Sequence, residues 1–294
     1  MDLSKSVLQK VDDIGGVSLY LKRDDLIHEV VSGNKWRKLK EHVDYAVKNN
    51  IDIIETFGGT FSNLLPAVAA AGNMFGMQTV GTVRGEEVSN PTLAYCKEQG
   101  MELRFVDRAK FKELARDLRK VVVKGNKLIV PEGGASKYGV YGCEDIVNEI
   151  DIDFDVITVD AGTGATAAGM IRALKPHQKL IVFPVLKGGW MKDEIIKLYK
   201  DAYGQVCPTN FEVVEDYHFG GFVKWNMELI EFIKSFKSQY GVQLDPIYTG
   251  KQLFGVTDLI NKGWFSNVKS IVSVHTGGLQ GIPGFEQRFG VRCS

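Results

Sequence analysis

Apolar residues along the chain occur in short runs that are separated by longer stretches with helical periodicity. Runs rich in β-branched and aromatic residues predict strands at 17–21, 52–57, 78–83, 102–106, 156–159, 180–186 and 271–275. Apolar positions near helical spacing predict helices at 34–48, 62–73, 90–98, 107 to about 119, 165–174, 224–238 and 251–262. The strand runs do not alternate with polar residues, and helices separate them. This pattern predicts an α/β protein with a mostly parallel sheet that helices cover on both faces.

Size and composition narrow the class of protein. The 294 residues suffice for two domains or for one large domain. The 36 basic residues balance the 36 acidic ones, which argues against a nucleic-acid partner or an anionic membrane surface. No apolar run approaches the roughly 18 residues that a membrane span requires, and the N-terminus lacks the apolar stretch of a secretory signal. The four scattered cysteines favour neither zinc nor disulfides, so we expect a cytoplasmic protein.

Three glycine clusters follow predicted strands, and they lie at 58–63, 161–166 and 276–279. In a parallel sheet such loops lie at the carboxyl ends of strands, where open α/β folds bind ligands. A helix start offers free N–H groups, so 162–166 is a candidate phosphate cup and 58–63 a candidate carboxylate cup. Each cluster taken singly fits a tight turn equally well. The missing third glycine of GxGxxG disfavours a dinucleotide, and the absence of GxxxxGK[ST] disfavours a nucleoside triphosphate.

Lys35 lies in the basic segment 32–38, at the predicted start of a helix. We expect Ser32 or Asn34 to cap that helix, which places Lys35 in its first turn. The helix dipole there disfavours a positive charge and lowers the lysine pKa, as an attack on an aldehyde requires. On this observation alone, the basic cluster is more typical of a solvated helix face than of a reactive amine.

Several motifs in a fixed order decide between these readings, and together they cover about residues 17–281. They are YLKRDD at 20–25, SGNKWRKL at 32–39, FGGTFSN at 57–63, the glycine loop at 162–166 and DPIYTGK at 245–251. In this combination the chain resembles the 1-aminocyclopropane-1-carboxylate deaminase/D-cysteine desulfhydrase family. These are fold-type-II enzymes, similar to the tryptophan synthase β subunit, that use pyridoxal 5′-phosphate.

The resemblance implies an architecture and a set of partners. We expect two open, twisted, mostly parallel sheets covered by helices. A large cofactor-binding domain would comprise residues 1–37 and 147–294, with a small inserted domain at 38–146. The cofactor would lie between the two domains. The substrate would be a small amino acid, and relatives suggest a homodimer.

The resemblance also implies roles for individual residues. Lys35 would form the covalent link to the cofactor. The other expected cofactor contacts are Asn63 at the 3′-oxygen, Gly162, Thr163, Gly164, Ala165 and Thr166 at the phosphate, and Thr249 facing the pyridine nitrogen. The expected substrate-side residues are Ser62 as a proton carrier, the backbone of Ser62, Asn63 and Leu64 at the carboxylate, the active-site Tyr248, and Phe222, with His218 beside them.

Three positions depart from the family pattern. Ring-opening deaminases place a glutamate where this chain has Thr249, and a carboxylate there keeps the pyridine nitrogen protonated. Thr249 therefore favours β-elimination, in which a leaving group discharges the carbanion, with Lys35 as the base and Tyr248 or Ser62 as the acid. Leu64 and Phe222 replace polar residues and predict a more apolar pocket. The alternatives are cyclopropane ring opening, a cofactor-binding protein with weak or no catalysis, and an α/β protein without the cofactor.

Overall fold

The computed structural model describes residues 1–116, 118–120 and 122–293, and its strands form two separate sheets. The strands are β1 (Leu8–Ile14), β2 (Val17–Lys22), β3 (Ile53–Gly59), β4 (Gln78–Arg84), β5 (Glu102–Val106), β6 (Val123–Lys124), β7 (Lys127–Val130), β8 (Val156–Ala161), β9 (Lys179–Pro184), β10 (Phe211–Val213) and β11 (Ser270–Val274). The helices are α1 (Asn34–Lys48), α2 (Leu64–Phe75), α3 (Pro91–Glu98), α4 (Arg108–Ala115), α5 (Lys137–Tyr141), α6 (Asp145–Asn148), α7 (Ala165–Ala173), α8 (Met191–Tyr203), α9 (Met227–Tyr240), α10 (Thr249–Asn261) and α11 (Ile282–Phe289).

The larger sheet has the order β1-β2-β11-β8-β9-β10. Its strands run parallel except for the β1–β2 hairpin at one edge. Helices cover both faces, because alternate residues of β8 pack on opposite sides. Ile157 and Val159 join the core beneath α7 and α8, whereas Val156 joins the core beneath α10. The even-numbered residues of β8 therefore share one face with α10.

The smaller sheet has the order β5-β4-β3-β7-β6 and is built from residues 53–130. It is parallel except for β6, which pairs antiparallel with β7. All of its strands fall within the segment predicted as the inserted domain, whose bounds at 38 and 146 stay a prediction. The predicted fold class, two open and mostly parallel sheets covered by helices, is confirmed.

The main elements match the sequence pattern, and the differences are local. Helix α1 spans the predicted 34–48, whereas α2 begins at Leu64, two residues later than predicted, and α4 ends at Ala115 rather than near 119. The pattern missed edge strand β1, in which no residue is buried, and it missed the amphipathic helix α8. Across the residues that the structure describes, every helix is too short or too polar to cross a membrane.

Candidate active site

Helix α1 begins in a turn that only glycine can form. Gly33 has φ +59°, and a Cβ there would lie 1.9 Å from the carbonyl oxygen of Thr276. The backbone of Asn34 donates to that same oxygen over 3.3 Å. This contact fixes the start of α1 against the loop after β11, at the carboxyl edge of the larger sheet.

The prediction that a side chain caps α1 is wrong. The residues that occupy the start of the helix instead determine where Lys35 lies. Gly33 occupies the cap position, and no side chain caps the helix. Asn34 is the first helical residue; its Oδ1 accepts a hydrogen bond from Lys35 Nζ, and its Nδ2 donates to Thr166 Oγ1 over 3.1 Å. The Asn34 side chain therefore joins the lysine to the predicted phosphate cup.

The Lys35 amine lies in a half-buried, electrostatically mixed environment. Burial lowers its pKa to about 8, and the neighbouring Lys38 charge acts in the same direction. Asp160 and Asp245 oppose this shift, since both carboxylates favour the ammonium form. A lysine with this pKa has a substantial free-amine fraction near neutral pH, as a nucleophile or base requires.

The loop 162–166 joins the end of β8 to the start of α7 and has the features of a phosphate cup. No side chain caps α7, so its first-turn N–H groups are available to an anion. Gly164 has φ +79°, and a Cβ there would approach Ile195 to 3.0 Å. Thr163 Oγ1 is buried and has no hydrogen-bond partner among the described residues. An unpaired buried hydroxyl beside free N–H groups fits the phosphate of pyridoxal phosphate.

Residues 62 and 63 form a turn before α2, which begins at Leu64, rather than part of the helix. Ser62 N donates to Gly59 O over 2.9 Å, and Ser62 Oγ accepts from Leu64 N at 3.3 Å. Asn63 faces the turn after β11, since a Cβ at Gly278 would lie 3.1 Å from its Nδ2. The candidate carboxylate cup and the Lys35 turn therefore both adjoin the loop that follows β11.

Leu64 does not line the pocket with its side chain, contrary to expectation. Its side chain is 1% exposed and belongs to the apolar core of the smaller sheet. The Leu64 backbone can still take part in the carboxylate cup, although its N–H already donates to Ser62 Oγ. The expected apolar wall of the pocket depends on Phe222 instead.

Tyr248 and Phe222 lie together beside the phosphate cup. Their rings meet edge to face with centroids 6.1 Å apart, and a Cβ at Gly162 would lie 3.4 Å from the Tyr248 hydroxyl. Burial raises the pKa of Tyr248, and the charges of Asp160 and Asp245 raise it further. The phenol therefore keeps its proton at neutral pH and can act as a donor.

Thr249 is fully buried and is joined to Asp245. Its Oγ1 donates to Asp245 Oδ1 over 2.9 Å and accepts from Asp245 N over 3.0 Å. The position that carries a glutamate in ring-opening relatives thus has a hydroxyl with a carboxylate behind it. Nothing in the structure tests whether Thr249 faces the pyridine nitrogen, and this role stays a prediction.

The loop that carries Phe222 is strained and is held from below by Lys251. Phe219 and Val223 have φ values of +54° and +59°, a conformation that costs on the order of 1–3 kcal/mol per residue. Lys251 is 1% exposed, and its Nζ donates to the carbonyl oxygens of His218 (3.0 Å) and Gly221 (2.9 Å). His218 therefore contributes its backbone to this arrangement, while its Nδ1 accepts from Gly220 N over 2.9 Å.

Three buried ionisable residues of the site were not predicted from the sequence: Asp160, Asp245 and Lys251. Asp245 and Lys251 lie within the DPIYTGK motif, so their neighbours pointed to the site although no role was given to them. Asp160 directly precedes the glycine loop at the end of an apolar strand. A charged residue at such a position was the signal that could have revealed it.

Comparison with known proteins identifies the family of this chain. The family model "Pyridoxal-phosphate dependent enzyme" matches residues 6–277. A Pyrococcus furiosus protein, provisionally named a 1-aminocyclopropane-1-carboxylate deaminase, is 32% identical over 93% of this chain and 88% of its own length. The Arabidopsis thaliana protein named bifunctional D-cysteine desulfhydrase/1-aminocyclopropane-1-carboxylate deaminase, mitochondrial, is 28% identical over 91% of this chain and 74% of its own length.

A solved structure extends the similarity to the fold. The crystal structure of an ACC deaminase homologue superimposes with a TM-score of 0.82 at 30% identity, covering 94% of this chain and 90% of that one. The family match spans most of the chain. The chain belongs to the family of pyridoxal-phosphate-dependent enzymes.

Proposed function

We propose that this enzyme catalyses α,β-elimination on a small amino acid with a leaving group at Cβ, releasing a 2-oxo acid and ammonia, as a D-cysteine desulfhydrase does. One observation carries the proposal. Lys35, whose pKa is lowered to about 8, adjoins the 162–166 loop through Asn34, and Tyr248, whose pKa is raised so that its phenol stays protonated, adjoins the same loop at Gly162. Elimination needs a base for the α-proton and an acid for the leaving group, and these two groups supply both.

The bound cofactor supplies an electron sink that acidifies the α-carbon. The groups that would hold it are Lys35 covalently, Asn63 at the ring, the 162–166 loop at the phosphate, and Thr249 at the pyridine nitrogen. The free N–H groups at the start of α7 and the unpaired Thr163 hydroxyl support the phosphate assignment.

The chain's own groups carry the remaining steps. The turn at Ser62 and Asn63 would receive the substrate carboxylate, which fixes the α-carbon. The substrate amine would replace Lys35 on the cofactor, and the freed Lys35 Nζ would then take the α-proton. Tyr248 Oη would protonate the departing group, with Ser62 Oγ as the alternative donor. Phe222, which is itself partly exposed, packs edge to face against the Tyr248 ring.

Cyclopropane ring opening is the second candidate, because the Pyrococcus furiosus and Arabidopsis thaliana relatives carry that activity in their names. The Asp245 carboxylate accepts a hydrogen bond from Thr249 Oγ1, so it also adds a carboxylate next to position 249 that Thr249 alone would not provide. We rank elimination first because the residue at 249 is a hydroxyl and no carboxylate occupies that position. Binding of the cofactor with weak or no catalysis is the remaining alternative.

One experiment separates these candidates by the number of carbon atoms in the 2-oxo acid that is released. Holoenzyme is incubated with D-cysteine, L-cysteine, β-chloro-D-alanine, D-serine and 1-aminocyclopropane-1-carboxylate, and the 2-oxo acids are identified by mass. We expect three-carbon pyruvate from a β-substituted substrate to form faster than four-carbon 2-oxobutanoate from the cyclopropane. Faster 2-oxobutanoate would select ring opening, and a yellow protein that releases neither acid would select the non-catalytic alternative. Tyr248→Phe is the matched variant, and it should slow release more for a poor leaving group than for chloride.

Two further parts of the proposal concern the setting of the enzyme. We propose a homodimer, which light scattering of the purified holoenzyme would test. We also propose a cytoplasmic location, which cell fractionation would test.

A further inference from the structure

Two buried aspartates act on the charge of Lys35. Asp160 is also linked to the Lys35 turn through Thr276, whose Oγ1 donates to Asp160 and whose carbonyl accepts from Asn34 N. The two aspartates differ in how their hydrogen bonds are used.

Asp245 Oδ1 accepts from Thr249 N (2.8 Å) and Thr249 Oγ1 (2.9 Å), and its Oδ2 accepts from Ile247 N (2.9 Å) and Tyr248 N (3.0 Å). These bonds occupy the whole carboxylate at the start of α10. The structure of that turn therefore accounts for Asp245.

Asp160 has no comparable set of hydrogen bonds to account for its position. It is 3% exposed, at the end of β8 and two residues before the phosphate cup. Its Oδ2 accepts one hydrogen bond, from Thr276 Oγ1 at 2.5 Å. Within the described ranges, no lysine or arginine lies within salt-bridge distance of it. A carboxyl group buried in this way costs stability, which suggests that its charge serves the site.

The charged groups around Asp160 come from two elements. Lys35 and Lys38 on α1 favour its carboxylate form, whereas Asp245 before α10 disfavours it, and burial has the largest effect. Together these raise the pKa of Asp160 to about 6, so the group is mostly ionised at neutral pH. Cys143, which faces Lys35 from the segment between α5 and α6, stays a neutral thiol because burial raises its pKa to about 11. Tyr248, the remaining titratable neighbour, stays neutral because its own pKa is raised.

We propose that Asp160 is a positioning residue that controls the proton on Lys35 Nζ through its charge, with Thr276 holding the carboxylate in place. The anion stabilises the ammonium form of Lys35, and this makes the amine a stronger base when it takes a proton from substrate. The inference rests on Lys35 as the cofactor lysine, and it does not depend on which amino acid is the substrate.

Asp160→Asn tests the charge with little change in shape, because Asn Oδ1 can still accept from Thr276. Apoenzyme is mixed with pyridoxal phosphate over a pH series, and the visible band of the lysine-linked cofactor is recorded at a fixed time. The link forms when the free amine attacks the aldehyde carbon and water leaves, so the midpoint follows the pKa of Lys35. We expect the midpoint to fall by about one pH unit in Asp160→Asn. The exposed-acid control Asp153→Asn should leave the midpoint unchanged.

Thr276→Val provides a second route that keeps the aspartate. Loss of the hydrogen bond raises the pKa of Asp160 further, so less of it is ionised and the midpoint should fall in the same direction by a smaller amount. This variant decides the matter if Asp160→Asn does not fold, as judged by circular dichroism. An unchanged midpoint in a folded variant overturns the inference. Absence of the visible band in the wild type at every pH would instead overturn the assignment of Lys35, and this inference with it.

Discussion

Helix α1 carries charged side chains on two sides. The charge on one side is conditional, and the charge on the other side is permanent. Lys35 points toward the cofactor site, while Arg37, two residues later, lies about 200° around the helix. Arg37 is fully buried; it pairs with Asp24 at 2.9 Å and with Glu149 at 2.5 Å. Lys22 is also buried and reaches Glu149 at 3.0 Å.

The difference lies in how completely each charge is neutralised. Burial disfavours the charge of Arg37, but the hydrogen bonds that Arg37 donates to Glu149 and Asp24 outweigh it and raise the pKa of Arg37, so its charge is permanent. Burial outweighs the acids around Lys35 and lowers its pKa to about 8, so its charge is conditional. The Arg37 cluster holds α1 in position, and the Lys35 cluster keeps a proton that can be moved.

The largest expected effect is on turnover, from Lys35→Ala. Removal of both the covalent link and the base should lower 2-oxo acid release by at least about 10³-fold. The unfolding free energy of the apoenzyme should stay the same or rise, because a partly desolvated charge is removed. Equal turnover in the variant and the wild type would contradict the assignment.

Arg37→Met should give the largest loss of stability. It removes the nearest cationic partner of buried Asp24, which keeps only the more distant Lys22 at 3.8 Å, and breaking a buried pair costs about 3–5 kcal/mol. Denaturant unfolding measures this cost. A variant as stable as the wild type would show that Arg37 is not the anchor of α1.

The same cluster predicts a pH dependence. The Arg37 and Lys22 side chains lower the pKa of Glu149 below its ordinary value of 4.5, in spite of burial. Glu149 therefore contributes stability that is present above pH 4.5 and is lost as the pH falls through its lowered pKa. The gap in unfolding free energy between wild type and Glu149→Gln should narrow as the pH falls below 4.5. A gap that is constant with pH would be inconsistent with this pairing.

Lys251→Met should have the smallest effect of the four, because it acts on a loop and not on the reacting groups. The carbonyls of His218 and Gly221 lose their donor, so the strained loop that carries Phe222 should open more often. Hydrogen exchange of amides in 218–223 should speed up, and the KM should rise by about 3- to 10-fold with little change in kcat. The conservative variant Lys251→Arg should recover part of the loss, whereas a fall in kcat alone would contradict a positioning role.

The sequence was sufficient for most of the elements and for the cofactor, because those depend on local pattern and ordered motifs. Periodicity placed α1 at its observed bounds, and the SGNK and YTGK motifs indicated pyridoxal phosphate. The direction in which a side chain points was not predictable in the same way. Leu64 lies next to the candidate carboxylate cup in sequence, yet its side chain points into the core because it begins a buried helix.

The acids of the site were missed for a related reason. Asp160 meets Thr276 only because β8 and β11 are neighbours in the sheet, although 116 residues separate them in the chain. Thr249 looked like the replacement of a carboxylate by a hydroxyl, and the fold then places Asp245 directly behind it. Such pairs follow from tertiary structure and not from the spacing of a motif.

The most direct test of the account is to locate the cofactor on the chain. The yellow holoenzyme is treated with borohydride, which fixes the cofactor to its lysine, and the digested peptides are mapped by mass. The account predicts that the label is on Lys35 and is absent from Lys38, three residues away on the same helix. A label on Lys38 or Lys251, or no labelled peptide, would contradict it.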